Sequence, residues 1–88
     1  MGFKVVEIQA TPNPNAAKFV LDRPICEQPM SFFNVESAGK YPLAMSLFAV
    51  EGVSSLLFLG DFVTVNKTSD SNWKQITPKV KKVLAEAP

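Results

Sequence analysis

Val53-Ser54-Ser55-Leu56-Leu57-Phe58-Leu59-Gly60-Asp61-Phe62-Val63-Thr64-Val65-Asn66-Lys67 places two runs of strand-forming residues on either side of a two-residue turn. Gly60 comes first in that turn, which suits a type II′ hairpin. The turn sets the register: Leu59 opposite Phe62, Phe58 opposite Val63, Leu57 opposite Thr64 and Leu56 opposite Val65. One face therefore carries Leu56, Phe58, Val63 and Val65. The other carries Leu57, Leu59, Phe62 and Thr64. Both faces are apolar near the turn, although a sheet face without helices over it should be mainly polar. A partner protein or a dimer would account for that second face, and so would a small cluster with Phe3 and Val5. Leu57, Leu59 and Phe62 are therefore candidate contact residues.

Helical signals flank the hairpin. Before it, Pro42 suits the first position of a helix, and Gly52 suits a left-handed stop after Val50. Leu43, Leu47 and Val50 fall on one stripe between them, with Ala44 and Phe48 beside it. After the hairpin, Thr68-Ser69-Asp70-Ser71-Asn72 is rich in helix-capping residues. Trp73, Ile76, Val80, Val83, Leu84 and Ala87 then recur at helical spacing, with Lys74, Lys79, Lys81 and Lys82 off the stripe. Pro78 leaves two options: a kinked helix, or a first turn at Trp73 and a restart at Pro78 with Thr77 as its cap. Trp73 is expected to anchor the core, with contact to a partner as its other reading.

Further upstream, residues 3–10 read as a strand with Val6, Ile8 and Ala10 on one face, and Ala17 to Leu21 as a second strand with Phe19 and Leu21 inward. Between them lies Thr11-Pro12-Asn13-Pro14-Asn15. Its prolines fix two φ angles, and its asparagines tolerate the left-handed region and bond locally to the backbone. The segment reads equally as a rigid turn and as an exposed recognition loop. Lys18, just beyond it, reads as a solvated strand lysine or as a contact to an anionic partner. Asp22 to Pro29 form a loop, Met30 to Val35 a short strand around Phe32 and Phe33, and Ser37 to Tyr41 a lead-in to the first helix. The order strand-strand-strand-helix-strand-strand-helix predicts an α+β two-layer sandwich. Two helices can cover only one face of a sheet of about five strands.

Composition narrows the function. The chain has 88 residues, 47% of them hydrophobic, with seven Phe, enough for one core and one domain over 1–88. A net charge of +1 supplies little attraction for nucleic acid or an anionic membrane, and no apolar run approaches the ~20 residues of a membrane span. Met1-Gly2-Phe3-Lys4 starts no signal-peptide stretch, and Val6 stands where a myristoylation motif has Ser or Thr. The expected compartment is the cytoplasm. There is no histidine, no glycine-rich phosphate loop and no evident pairing of the eight carboxylates, so no enzyme is expected. Cys26 is the sole cysteine, which excludes an internal disulfide and fits reducing conditions. It reads as a half-buried loop thiol beside Ile25 or, less readily, as a metal ligand shared between two chains. No metal site and no bound cofactor are expected of this chain alone.

Several pieces also match in order and spacing: Thr11-Pro12-Asn13-Pro14-Asn15-Ala16-Ala17-Lys18-Phe19, Pro42-Leu43-Ala44 with Leu47-Phe48, Glu51-Gly52-Val53, Gly60-Asp61-Phe62-Val63-Thr64-Val65 with Lys67, and Trp73. Together they resemble the N-terminal domain of Nfu/NifU-type iron–sulfur cluster scaffold proteins, over about residues 5–84. The resemblance implies an α+β sandwich and a part in iron–sulfur cluster assembly or delivery. In that family the cluster is held by a Cys-x-x-Cys pair in a separate C-terminal domain, usually shared across a dimer. These 88 residues contain no such pair, so no cluster-ligating position carries over. A stand-alone domain with an accessory role is expected, contacting assembly factors or client proteins. A general interaction module without any iron–sulfur role is the alternative.

Overall fold

A computed structural model describes residues 2–87. Strands β1 (Val5–Ala10), β2 (Ala16–Leu21) and β3 (Met30–Phe32) come first. A 3-10 turn at Glu36–Ala38, helix α1 (Pro42–Phe48), strands β4 (Val53–Leu59) and β5 (Phe62–Lys67) and helix α2 (Trp73–Ala85) follow. All pairings are antiparallel and the strand order is β1-β2-β5-β4-β3. This is the expected sandwich, with both helices over one sheet face.

The hairpin takes the register dictated by its turn, from Leu59↔Phe62 to Leu56↔Val65. Gly60 has φ +58, and Asp61 is not among the positive-φ residues, as a type II′ turn requires. A register shift between Val53 and Ser55 ends the regular pairing. The inward residues Ala17, Phe19, Leu21, Phe32, Leu56, Phe58, Val63 and Val65 meet Ala44 and Leu47 of α1 and Ile76, Val80 and Leu84 of α2. Val63, Val65, Phe19, Leu47, Val80 and Leu84 are fully buried, each worth about 1.5–3 kcal/mol of burial free energy.

Three local expectations need correcting, and the choice left open at Pro78 is decided. Val6, Ile8 and Ala10 do not share a face, because β1 bulges between Val5 and Glu7. Val5, Ile8 and Ala10 lie opposite the inward residues Leu21, Phe19 and Ala17, while Glu7 and Gln9 join the outer face. The third strand ends at Phe32 and leaves Phe33 78% exposed, since the chain turns away there toward the 3-10 turn. Helix α1 begins at Pro42 as expected but ends at Phe48, two residues before Val50. Pro78 neither restarts nor ends α2, which runs continuously from an Asn72 cap whose side chain accepts from the Lys74 N–H. Pro78 lies on the exposed side of that helix, where water can replace the missing donor.

Gly52, with φ +99, makes the turn from α1 into β4. A Cβ there would stand 2.6 Å from Ser71 Oγ and 3.0 Å from Ile76 Cδ1, so the tight approach of the α2 lead-in also requires glycine.

Candidate functional site

The sheet face away from the helices is built of cross-strand rows. Leu59, Phe62, Val20 and Glu7 form the row nearest the hairpin turn. The next is Ser31, Leu57, Thr64, Lys18 and Gln9. Ser55, Asn66 and Ala16 form the row beyond. Polarity thus falls along the sheet toward Gly60. Leu57, Leu59 and Phe62 come together as expected, and Val20 completes the patch.

Sequence reading missed Val20, although its alternation with Phe19 and Leu21 already put it on the outer face. Phe3 and Val5 pack against the core on the helix side, so they do not cover this patch. Lys18 joins the sheet face rather than the proline–asparagine turn. Its ammonium sits 4.0 Å above the Phe62 ring centroid, a cation–π contact that rims the apolar row with positive charge.

The Thr11–Asn15 turn lies at the opposite end of the sheet, beside the end of β5 and the start of α2. Thr11, Asn13, Pro14 and Asn15 each engage polar groups within the protein. Thr11 Oγ1 accepts from the Asn13 N–H (3.1 Å) and can donate to the carbonyl of Asn13 (2.8 Å) or Ala16 (3.0 Å). Asn13 Oδ1 accepts from the Asn15 N–H (2.9 Å), and Asn13 O from the Ala16 N–H (3.0 Å). Lys67 supplies its N–H to Asn15 O (2.7 Å) and its Nζ to Asn15 Oδ1 (2.9 Å). The Trp73 indole N–H donates to Pro14 O at 3.0 Å, while its ring packs against Phe19 at 6.3 Å. Trp73 is therefore the core anchor expected of it and also the strut holding the turn. Its partner is 59 residues away, beyond the reach of any local pattern. Pro12, Asn13 and Pro14 remain exposed.

At the same end, the Thr68 side chain is hydrogen-bonded to the exposed Asp70 and holds its carboxyl below the ordinary carboxylate range. The Asp70 backbone N–H and the nearby Lys67 charge act in the same direction.

Cys26 lies half-buried after β2 in a groove of about 490 Å³ with Ile25, Met30, Tyr41, Leu43 and Phe58. Among the described residues no group of three or more His, Cys, Asp and Glu is placed to hold a metal ion. One thiol, with Glu27 and Gln28 also lining the groove, does not supply the four thiolates that an iron–sulfur cluster commonly takes. Among the described residues no helix is long and apolar enough to cross a membrane.

The family profile described as "Scaffold protein Nfu/NifU N terminal" matches residues 6–87. The human protein named NFU1 iron-sulfur cluster scaffold homolog, mitochondrial, is 38% identical over 80 residues. The match covers 89% of this chain and 32% of the human one. NifU-like protein 4, mitochondrial, of Arabidopsis thaliana is 38% identical over 76 residues, covering 85% of this chain and 27% of its own. This chain thus spans about a third of the length of those relatives. Among solved structures, protein SAV1430 of Staphylococcus aureus superposes with a TM-score of 0.77 at 31% identity, covering 91% of this chain and 96% of that one. A NifU-like protein of Saccharomyces cerevisiae superposes with a TM-score of 0.79 at 27% identity, covering 91% and 74%. With the fold, the hairpin and the proline–asparagine turn in place, the chain belongs to the Nfu/NifU N-terminal scaffold family.

Proposed function

We propose that this domain acts without catalysis in iron–sulfur cluster assembly or delivery, by docking an assembly factor or an iron–sulfur client protein on its open sheet face. The observation that carries this reading is the apolar row of Leu59, Phe62 and Val20, with Leu57 beside it, on the face that neither helix covers. Its apolar centre, bordered by the charged Lys18 and Glu7, has the anatomy of a protein contact. The link to iron–sulfur chemistry rests on the family and on relatives named as cluster scaffolds. The cluster itself is cargo held elsewhere, since Cys26 is this chain's only thiol. A free thiol is at home in a reducing compartment, the cytoplasm in the first instance, although the human and Arabidopsis relatives are named as mitochondrial.

The test is a Leu57→Asp, Phe62→Ser variant placed at the native locus, with iron–sulfur enzyme activities read in extracts. Those activities should fall while the purified variant keeps its circular dichroism spectrum and melting cooperativity. Unchanged activities with a folded variant would remove the sheet face from the process. Anaerobic reconstitution with iron and sulfide complements it. No chromophore should survive desalting, and one that persists in the wild type but not in Cys26→Ser would make Cys26 a cluster ligand. Sedimentation of the purified chain separates a partner protein from a second copy as occupant of the face.

A further inference from the structure

The sheet has two edges, and they are not alike. The β3 edge is three residues long and gives way at once to a 3-10 turn. The β1 edge is six residues long and pairs with β2 alone. Alternate residues of such an edge point their N–H and C=O groups away from the sheet, ready for another strand. The bulge between Val5 and Glu7 interrupts that row near its start. Glu7 to Ala10 remain regular, about 13 Å of open edge.

Helix α2 runs alongside this edge in the opposite direction and leaves a groove. At the Ala10 end the groove encloses about 370 Å³, lined by Ile8, Ala10, Pro14, Trp73 and Thr77. At the Phe3 end, where the Phe3 N–H donates to Leu84 O (2.7 Å) and bridges strand to helix, a separate pocket of about 420 Å³ is lined by Gly2, Phe3, Lys4, Val5, Asp22, Lys81 and Ala85. Trp73, Thr77, Lys81 and Ala85 are spaced by four, so one side of the helix forms the whole far wall. Val6 is 56% exposed, and Ile8, beside the Trp73 pocket, is 39% exposed. The charge is uneven. Asp22 is already engaged by Arg23 at 3.6 Å and by the Lys4 backbone N–H at 3.1 Å. Neither Lys4 nor Lys81 has an ion-pair partner among the described residues.

From the open edge, the apolar pocket and the two unpaired ammonium groups, we infer that β1 binds an extended acidic peptide segment as an added sixth strand. An apolar side chain of that segment seats beside Ile8 and Trp73. A carboxylate toward the Phe3 end of the segment meets Lys4 and Lys81, which line one pocket there. Backbone hydrogen bonds supply affinity, and the two ends of the groove supply selectivity. This site is separate from the open sheet face and does not depend on that face's role.

Trp73 is the only tryptophan, so its emission reports binding directly. The probes are peptides of about ten residues, long enough to span the groove. Valine occupies alternate positions at one end, aspartate alternate positions at the other, and threonine lies between; both chain orders are used, with counterparts carrying lysine for aspartate. One aspartate peptide should shift Trp73 emission and the amide resonances of residues 7–10. It should bind roughly tenfold more tightly than its lysine counterpart and weaken as salt rises. The chain order that binds sets the direction of the added strand. In a Lys4→Glu, Lys81→Glu variant the preference should invert, and both positions are exposed or peripheral enough to leave the core intact. Equal binding of the aspartate and lysine peptides, no response up to about millimolar peptide, or amide shifts confined to Leu57, Leu59 and Phe62 would each overturn the inference.

Discussion

Both ends of the β2–β5 pair offer a candidate contact on sequence grounds, and they are built in opposite ways. At one end the Thr11–Asn15 turn uses its hydroxyl, amide and carbonyl groups on its own backbone, on Lys67 and on Trp73. At the other end Leu59, Phe62 and Val20 have no covering layer; Lys18 lies across the Phe62 ring and Glu7 ends the row. A loop whose acceptors are satisfied internally gains little from a new hydrogen-bonding partner, because binding only exchanges one bond for another. An uncovered apolar row gains by losing water. Rigidity therefore makes the turn framework, and solvent exposure is what the proposed docking on the sheet face rests on.

This contrast predicts that substitutions at the turn cost stability and those at the sheet face cost binding. Trp73→Ala carries the largest effect. It removes an aromatic contact to Phe19 and the donor to Pro14 O, and should destabilise the fold by about 3 kcal/mol. Urea denaturation measures this, and partner binding by the folded fraction should be unchanged. Trp73→Phe keeps most of the packing and should cost only about 1 kcal/mol, the share of the hydrogen bond. Equal losses in both variants would mean the indole bond, and not the ring, holds that end together.

Phe62→Ser comes next, and its effect lies on the other axis. It should weaken binding of the partner by about 2 kcal/mol, roughly thirtyfold, measured by calorimetry. Stability should change by less than about 1 kcal/mol, because Phe62 is only half-buried. If the loss falls on stability instead, the patch is a structural face and the contrast collapses.

Asn13→Ala is smaller again. It removes the acceptor of the Asn15 N–H and should cost about 1 kcal/mol, a fall of about 4–8 °C in Tm for a chain this size. Binding at the sheet face should stay as it was. A loss of binding without a loss of Tm would restore the turn as a recognition loop.

How much of this was legible in the sequence depends on how local each cause is. The hairpin was readable to the residue because Gly60-Asp61 sets its own register. The apolar outer face followed from that register by alternation alone. The start of α1 and the apolar stripe of α2 were readable from Pro42 and from the helical spacing after Asn72, while the passage of α2 through Pro78 was left open. The β1 face was not, because Val5-Val6-Glu7-Ile8 fits an unbroken strand as well as one with a bulge, and pairing with β2 decides between them. Alternation with Phe19 put Lys18 on the open face, but nothing local set it over Phe62 or tied Trp73 to Pro14. Both contacts depend on which strands become neighbours, and strand order is a property of the whole chain.

The smallest effect concerns charge, and it too separates the two ends. Asp70 lies near the turn, and its folded-state pKa is lowered chiefly by the hydrogen bond with the Thr68 side chain. A carboxyl with a lowered folded-state pKa binds fewer protons folded than unfolded through the acid range, so its contribution is present above the unfolded value, about 4. That contribution is lost as pH falls toward the folded value. Because Asp70 is exposed, water and salt screen the effect and keep it small. Comparing wild type with Asp70→Asn by urea denaturation from neutral to acid pH isolates it. The wild type should be slightly the more stable at neutral pH, and the difference should close below about pH 4. Binding at the Leu59–Phe62 end should show no matching change. A stability difference that stays constant with pH would mean that the asparagine acts through its shape and not through the charge it removes.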